Sequence, residues 1–245
     1  MPTTTRHLTT VPPTGLAAGR FRCKFLGRIA GATVAGGLLL ALGAFAGPPL
    51  FQDHLRTVLP ERVYRSAQMS PERLAKIIDR FSIRTVVNLR GPCPDFEWYR
   101  NECQVTADAG ISQEDVTLSA VRLPPPSELR RLIEILDRAD PPLLIHCRQG
   151  VDRTGLASAI VTLLQPGSTL EAAERQLSWV LGYVAYNGTE AMRDFLRLYR
   201  RWLEGMDRVH TPELFRHWAT VEYCPGLRRG ELECLATIPP VSYTH

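Results

Sequence analysis

The chain has 245 residues, of which 29 are Lys or Arg and 25 are Asp or Glu, giving a net charge of +4. Five basic residues (Arg6, Arg20, Arg22, Lys24 and Arg28) fall in the first 28 positions, which hold no acidic side chain, so residues 29–245 carry 24 basic against 25 acidic groups. That balance removes the basic surface on which nucleic-acid binding depends, and the six cysteines show no Cys-x2-Cys spacing of the kind that holds zinc.

In chain order, a Thr/Pro-rich start leads to residues 29–51, which contain no charged side chain. At the helical rise such a stretch spans a bilayer core of roughly 30 Å; Pro48 and Pro49 limit the helix to about residues 27–47. The preceding positive charge predicts a single membrane-spanning segment with a cytoplasmic N-terminus and the remainder of the chain outside the cytoplasm. Ala44-Phe45-Ala46 before Gly47 also satisfies the small-x-small rule, so cleavage near Ala46 to a secreted or periplasmic product is the alternative.

The remaining residues are enough for one globular domain. Residues 62–68 read as a strand. Ser70-Pro71-Glu72 is a capped helix start with Pro at the first position, and the helix runs to about 81. The β-branched run 83–90 is a strand, 91–95 a turn, 96–109 a helix and 115–119 a strand. Leu129, Leu132, Ile133 and Leu136 place one apolar face on a helix over 127–138. The apolar run 141–145 is a buried strand, 156–164 an apolar helix, and 169–181 and 189–204 two more helices. A further helix starts at Pro212. His210 and His217 are too scattered for a metal site. The alternation predicts an α/β domain: a central, mostly parallel sheet flanked by helices.

The most informative stretch is 146–155, His-Cys-Arg-Gln-Gly-Val-Asp-Arg-Thr-Gly, between the strand 141–145 and the apolar helix. The pattern His-Cys-x2-Gly-x2-Arg-Thr-Gly arises by chance in a chain of this length roughly once in a million. Strand, tight loop and helix start form an anion cradle, in which backbone N–H groups and the helix end both face a bound phosphate. Cys147 sits where those groups favour negative charge, so it is a candidate nucleophile. Arg153 offers a planar fork matched to two phosphate oxygens. The Thr154 hydroxyl can donate to the sulfur as it leaves. His146 braces the loop, Gly150 lets the backbone approach the ligand, and Gly155 permits close packing of the helix start.

This segment resembles the signature loop of the cysteine-dependent tyrosine and dual-specificity phosphatases. Val-Tyr-Arg-Ser-Ala-Gln at 63–68 is similar to the first core strand of bacterial and atypical dual-specificity members, and Ile-Arg-Thr-Val-Val-Asn-Leu-Arg at 83–90 to their central strand. The resemblance implies Cys147 as nucleophile, Arg153 as phosphate clamp and Thr154 as hydroxyl partner. Arg148, Gln149, Gly150, Val151, Asp152 and Arg153 would line the substrate, and no metal or organic cofactor is implied. The family's general acid is usually an Asp on a separate loop, but the corresponding residues 118–126 hold no carboxylate. Two substitutes remain: Asp152 within the loop, as in some bacterial and lipid-directed relatives, and Asp115 upstream. Asp152 could instead salt-bridge a neighbouring Arg and tune the loop's shape.

The expected activity is phosphomonoester hydrolysis of the tyrosine/dual-specificity type through a cysteinyl-phosphate. Substrates would be phosphorylated proteins or small phosphomonoesters, phosphoinositides included, and Arg148 could help with a second phosphate. A catalytically silent phosphate-docking module and a Cys-loop sulfurtransferase are the competing classes. The expected organisation is a basic N-terminal segment 1–26, a membrane anchor or signal 27–50, a catalytic domain 55–205 and a C-terminal extension 206–245. An oxidising compartment would allow pairing of Cys93 with Cys103 or Cys224 with Cys234.

Overall fold

The structure, a computed structural model, describes residues 53–184 and 190–225. The segment 1–26, the expected span 27–50 with its cleavage site near Ala46, and the chain end with Cys234 lie outside the described residues, as does the Cys224–Cys234 pairing. Cys93 and Cys103 are free thiols, not bonded to each other. Among the described residues no helix is long and apolar enough to cross a membrane, and no group of His, Cys, Asp and Glu is placed to hold a metal ion.

Five strands form one sheet: β1 Arg56–Leu59, β2 Val63–Ala67, β3 Thr85–Asn88, β4 Ser112–Asp115 and β5 Leu143–Cys147. Their spatial order is β1-β2-β5-β3-β4. β1 runs antiparallel to β2, while the pairs β2–β5, β5–β3 and β3–β4 are parallel. Parallel strands cannot be joined by tight turns. The crossovers are accordingly helical: α1 Pro71–Phe81, α2 Glu97–Asp108 and α3 Pro126–Arg138. After β5 come α4 Asp152–Leu163, α5 Leu170–Glu174, α6 Glu190–Gly205 and α7 Pro212–His217.

α1 shows how the sequence fixes an element. Ser70 caps it by accepting the Arg73 N–H, and Pro71 takes the first helical position. Leu74, Ile77 and Ile78 form a buried stripe, each contributing about 1.5–3 kcal/mol by burial. The period-2 alternation of strands then sorts side chains between the two faces of the sheet. Val86 and Leu144 pack with the α1 stripe, whereas Val87, Leu143, Ile145 and Cys147 belong to the larger core, which also holds Leu129 and Leu132 of α3 and Leu156 and Ile160 of α4.

Several elements differ from the sequence reading. β1, a half-exposed edge strand, was not anticipated. The strand expected at 115–119 is β4 at 112–115, because apolar alternation at Val116 and Leu118 drew the reading downstream of a polar edge strand. The strand expected at 83–90 is cut to 85–88 by Asn88: its side chain accepts the Arg90 N–H and donates to the Gly91 carbonyl, turning the chain. The helix expected over 169–181 breaks after Glu174 into two 3-10 turns, Arg175–Leu177 and Trp179–Leu181. Beyond residue 205, α7 and a π turn at Trp218–Glu222 add to the main core: Phe215, Trp218 and Tyr223 pack around Phe195, and the Tyr223 hydroxyl donates to the Pro124 carbonyl at 2.9 Å.

Candidate active site

β5 ends at Cys147, which is 2% exposed, and the next four residues turn sharply into α4. The Gly150 N–H points back at the Cys147 sulfur, 3.3 Å from Sγ. Gly150 has φ +70°, and a Cβ there would lie 2.5 Å from the Ala67 nitrogen. Its glycine is therefore required by the left-handed backbone and by close contact with β2. A Cβ on Gly155 would sit 2.7 Å from Leu177 Cδ2, so that glycine does allow close packing of the helix start.

α4 begins at Asp152, four residues before the apolar run that predicted it, so Asp152, Arg153 and Thr154 form its first turn. Cys147 thus lies at the C-terminal end of a central parallel strand and before a helix N-terminus, the usual site position in open α/β sheets. Arg148 and Gln149 are exposed at the mouth, while Val151 is half-buried. Arg153 is half-buried: its Nη1 reaches the Leu118 carbonyl at 3.5 Å, and its Nε is buried without a partner. The Thr154 hydroxyl is also buried without a partner in the resting site. Buried polar groups are nearly always satisfied; His146 Nδ1 is a third unmatched atom of this segment, and the Arg153 and Thr154 donors beside the loop fit an anion.

Asp152 forms no ion pair among the described residues, so the loop-tuning salt bridge is not seen. Burial raises its pKa above the ordinary Asp value, against its backbone hydrogen bond and the charge of Arg153. Asp115 is placed otherwise. It is in register with Asn88 and, through it, His146, two strands from β5 and so ~10 Å across the sheet. Its carboxylate accepts from Asn88 Nδ2 at 2.7 Å and from the Tyr99 hydroxyl. Burial, then these Asp115 contacts, push the Tyr99 hydroxyl up in pKa, so it stays a donor. The structure brings Asp152 to the loop and leaves Asp115 outside it.

Two supporting residues escaped the sequence reading. Arg65, on β2, is 2% exposed. Its Nη2 donates to the Gly150 and Val151 carbonyls at 3.0 and 3.3 Å, and its Nη1 to the backbone and side-chain oxygens of Gln176 at 3.0 and 3.2 Å. Arg65 thus holds the carbonyl of the same Gly150 whose N–H faces the Cys147 sulfur. Burial pushes Arg65 down to about 10, while the nearby charge of Cys147 works the other way. The clue was period 2: Arg65 shares the inward face of Val63 and Ala67, where an arginine needs buried acceptors.

Glu102 on α2 meets His146 Nε2 at 3.1 Å, with both side chains 3% exposed. His146 faces α2 because it alternates with Cys147 along β5. Gln113 and Gln68 also donate to the Glu102 carboxylate. Glu102 and Thr106 are the buried residues of α2, both polar, so no apolar spacing marked Glu102.

This loop keeps the pattern that resembles the signature loop of the cysteine-dependent phosphatases. The sequence model of the tyrosine phosphatase family matches residues 104–166, from α2 through the loop and α4. Solved structures similar to the chain include the core catalytic domain of the PP-IP phosphatase Siw14 from S. cerevisiae, at 22% identity over 63% of this chain and 93% of that one, with a TM-score of 0.49. TpbA of P. aeruginosa is 24% identical over 60% of this chain and 89% of its own, with a TM-score of 0.46. A PTP-like phytase from Bdellovibrio bacteriovorus is 16% identical over 63% of this chain and 84% of its own, with a TM-score of 0.48. No curated protein matches the sequence.

Proposed function

We propose that the protein hydrolyses phosphomonoesters through a cysteinyl-phosphate formed on Cys147. The observation that carries this reading is the buried Cys147 sulfur facing the Gly150 N–H at the mouth of α4, beside an arginine whose Nε is buried and unmatched. The phosphate's oxygens would take the loop N–H groups and the Arg153 fork. The Cys147 sulfur attacks phosphorus, the ester oxygen departs, and Asp152 supplies that oxygen's proton. Water then attacks the phosphocysteine, returning the thiolate and inorganic phosphate, with Asp152 taking the water's proton back. The Thr154 hydroxyl, unmatched at rest, would rotate to the departing sulfur.

Substrates in this reading are phosphoproteins or small phosphomonoesters. The charge-free stretch 29–51 behind five basic residues supports a single anchor, or a signal cleaved near Ala46, with the catalytic unit outside the cytoplasm. The organisation 1–26, 27–50, 55–205 and 206–245 belongs to the same reading.

The test is hydrolysis of para-nitrophenyl phosphate by the full chain under reducing conditions. Wild type turns it over and Cys147→Ser does not. A folded wild type that binds phosphate without turnover would favour the docking module, a reading that the engaged Asp115 carboxylate also favours.

A further inference from the structure

Arg90 stands one residue beyond Leu89, whose N–H is bonded to the His146 carbonyl at 2.9 Å, so it leaves β3 next to the start of the signature loop. Its guanidinium is held on two sides: Nη1 donates to Gln68 Oε1 at 3.1 Å, and its central carbon lies 3.5 Å over the centre of the Trp98 ring. The Gln68 N–H is itself bonded to the Arg148 carbonyl at 3.3 Å. One glutamine therefore ties the loop to the Arg90 head. Stacking on Trp98 occupies the flat face of the guanidinium and leaves its in-plane donors, apart from the one on Gln68, available for an anion.

Among the described residues no carboxylate answers this charge directly. Among the described residues, Arg90, Arg148 and Arg153 form no ion pair. Burial, then the like charge of Arg153 and after it that of Arg148, pushes Arg90 below its ordinary pKa, while Cys93 and Glu102 work the other way. Glu102 is already engaged by Gln68, Gln113 and His146. Like charges drawn near one another cost free energy unless an anion joins them, and in the proposed reaction the phosphate over Cys147 would already take Arg153 and the loop.

We propose that Arg90, with Arg148 at the rim, binds a second phosphate of the substrate beside the one held over Cys147. The preferred substrates are then polyphosphorylated, with the second phosphate on the same small molecule or headgroup. This rests on the phosphatase reading and narrows its substrate class. A free polyol phosphate and a phosphoinositide headgroup share this chemistry.

The test compares full-length wild type, Arg90→Gln and Arg90→Lys on four substrates: para-nitrophenyl phosphate, a singly phosphorylated tyrosyl peptide, myo-inositol hexakisphosphate, and phosphatidylcholine vesicles carrying a phosphatidylinositol trisphosphate. Arg90→Gln lowers the ratio of kcat/KM for the better polyphosphate to that for para-nitrophenyl phosphate about tenfold or more, through KM, and Arg90→Lys restores part of it. The better arm names the source. A ratio unchanged within about twofold, or a wild type that prefers a singly phosphorylated tyrosyl peptide to both polyphosphates, overturns the proposal. Should Arg90→Gln fail to fold, Arg148→Gln reports on the same ratio. Should wild type turn over nothing, the phosphatase reading fails separately. Calorimetric titration of Cys147→Ser then decides on Arg90, whose change to Gln must weaken hexakisphosphate more than inorganic phosphate.

Discussion

Arg65 and Gly150 stand 85 positions apart in the chain and are joined by a 3.0 Å hydrogen bond from the Arg65 Nη2 to the Gly150 carbonyl. The same guanidinium reaches Val151 and Gln176. β2 thereby sets the orientation of peptides in a loop that follows β5.

Arg65→Ala leaves buried carbonyls unmatched and should cost about 3 kcal/mol of stability. Arg65→Lys keeps the charge but loses the fork, and kcat/KM should fall about tenfold. Thermal unfolding and para-nitrophenyl phosphate kinetics check both. Wild-type values in Arg65→Ala would remove the residue from the account.

Asp152 has its pKa raised by burial, so it keeps its proton to a higher pH than a free Asp. An acid is lost as pH rises through its pKa, so kcat/KM for an alkyl phosphate should fall on that basic limb. Asp152→Asn abolishes the limb and lowers kcat by about 10²–10⁴, with a smaller loss for para-nitrophenyl phosphate, whose leaving group needs little protonation. Asp115→Asn, in contrast, should retain the limb. The reverse pattern would make Asp115 the acid.

The buried Glu102–His146 pair ties α2 beneath the loop. Glu102→Ala leaves His146 and Gln113 without that acceptor and should lower stability by about 1–3 kcal/mol, read from urea unfolding. A smaller effect than an exposed control such as Glu134→Ala would contradict this packing role.

His210 is held by Ser168 and the Tyr199 hydroxyl at 3.0 and 2.9 Å, and burial lowers its pKa below 6.5. The unfolded chain therefore takes up the proton first. The stability given by neutral His210 is full above the unfolded value and is lost as pH falls through it toward the folded one. The melting temperature should drop as pH falls below about 6.5, and His210→Gln should reduce that drop. Equal drops in the two proteins would show that other groups dominate.

The sequence made the α/β alternation and the cradle legible because their signals are local. Ser70-Pro71 marks a helix start, and the apolar run before Cys147 leads into a loop whose residues carry its chemistry. What stayed hidden depends on contacts across the sheet. Arg65 acts on Gly150 only because β2 pairs with β5, Glu102 meets His146 only because α2 covers that face, and β4 is a polar edge with no apolar rhythm to betray it. Asp115 was weighed by its distance along the chain, which says nothing of Tyr99 and Asn88 claiming its carboxylate.

The most direct test of the central claim is to quench full-length, reduced protein during turnover of a phosphomonoester and locate the phosphate by peptide mass spectrometry. The account predicts phosphate on Cys147 in wild type, more of it in Asp152→Asn, where protonation for the first step matters less than base catalysis of the second when para-nitrophenyl phosphate is the substrate, and none in Cys147→Ser. Sustained turnover in Cys147→Ser, or phosphate carried on any other side chain, would contradict it.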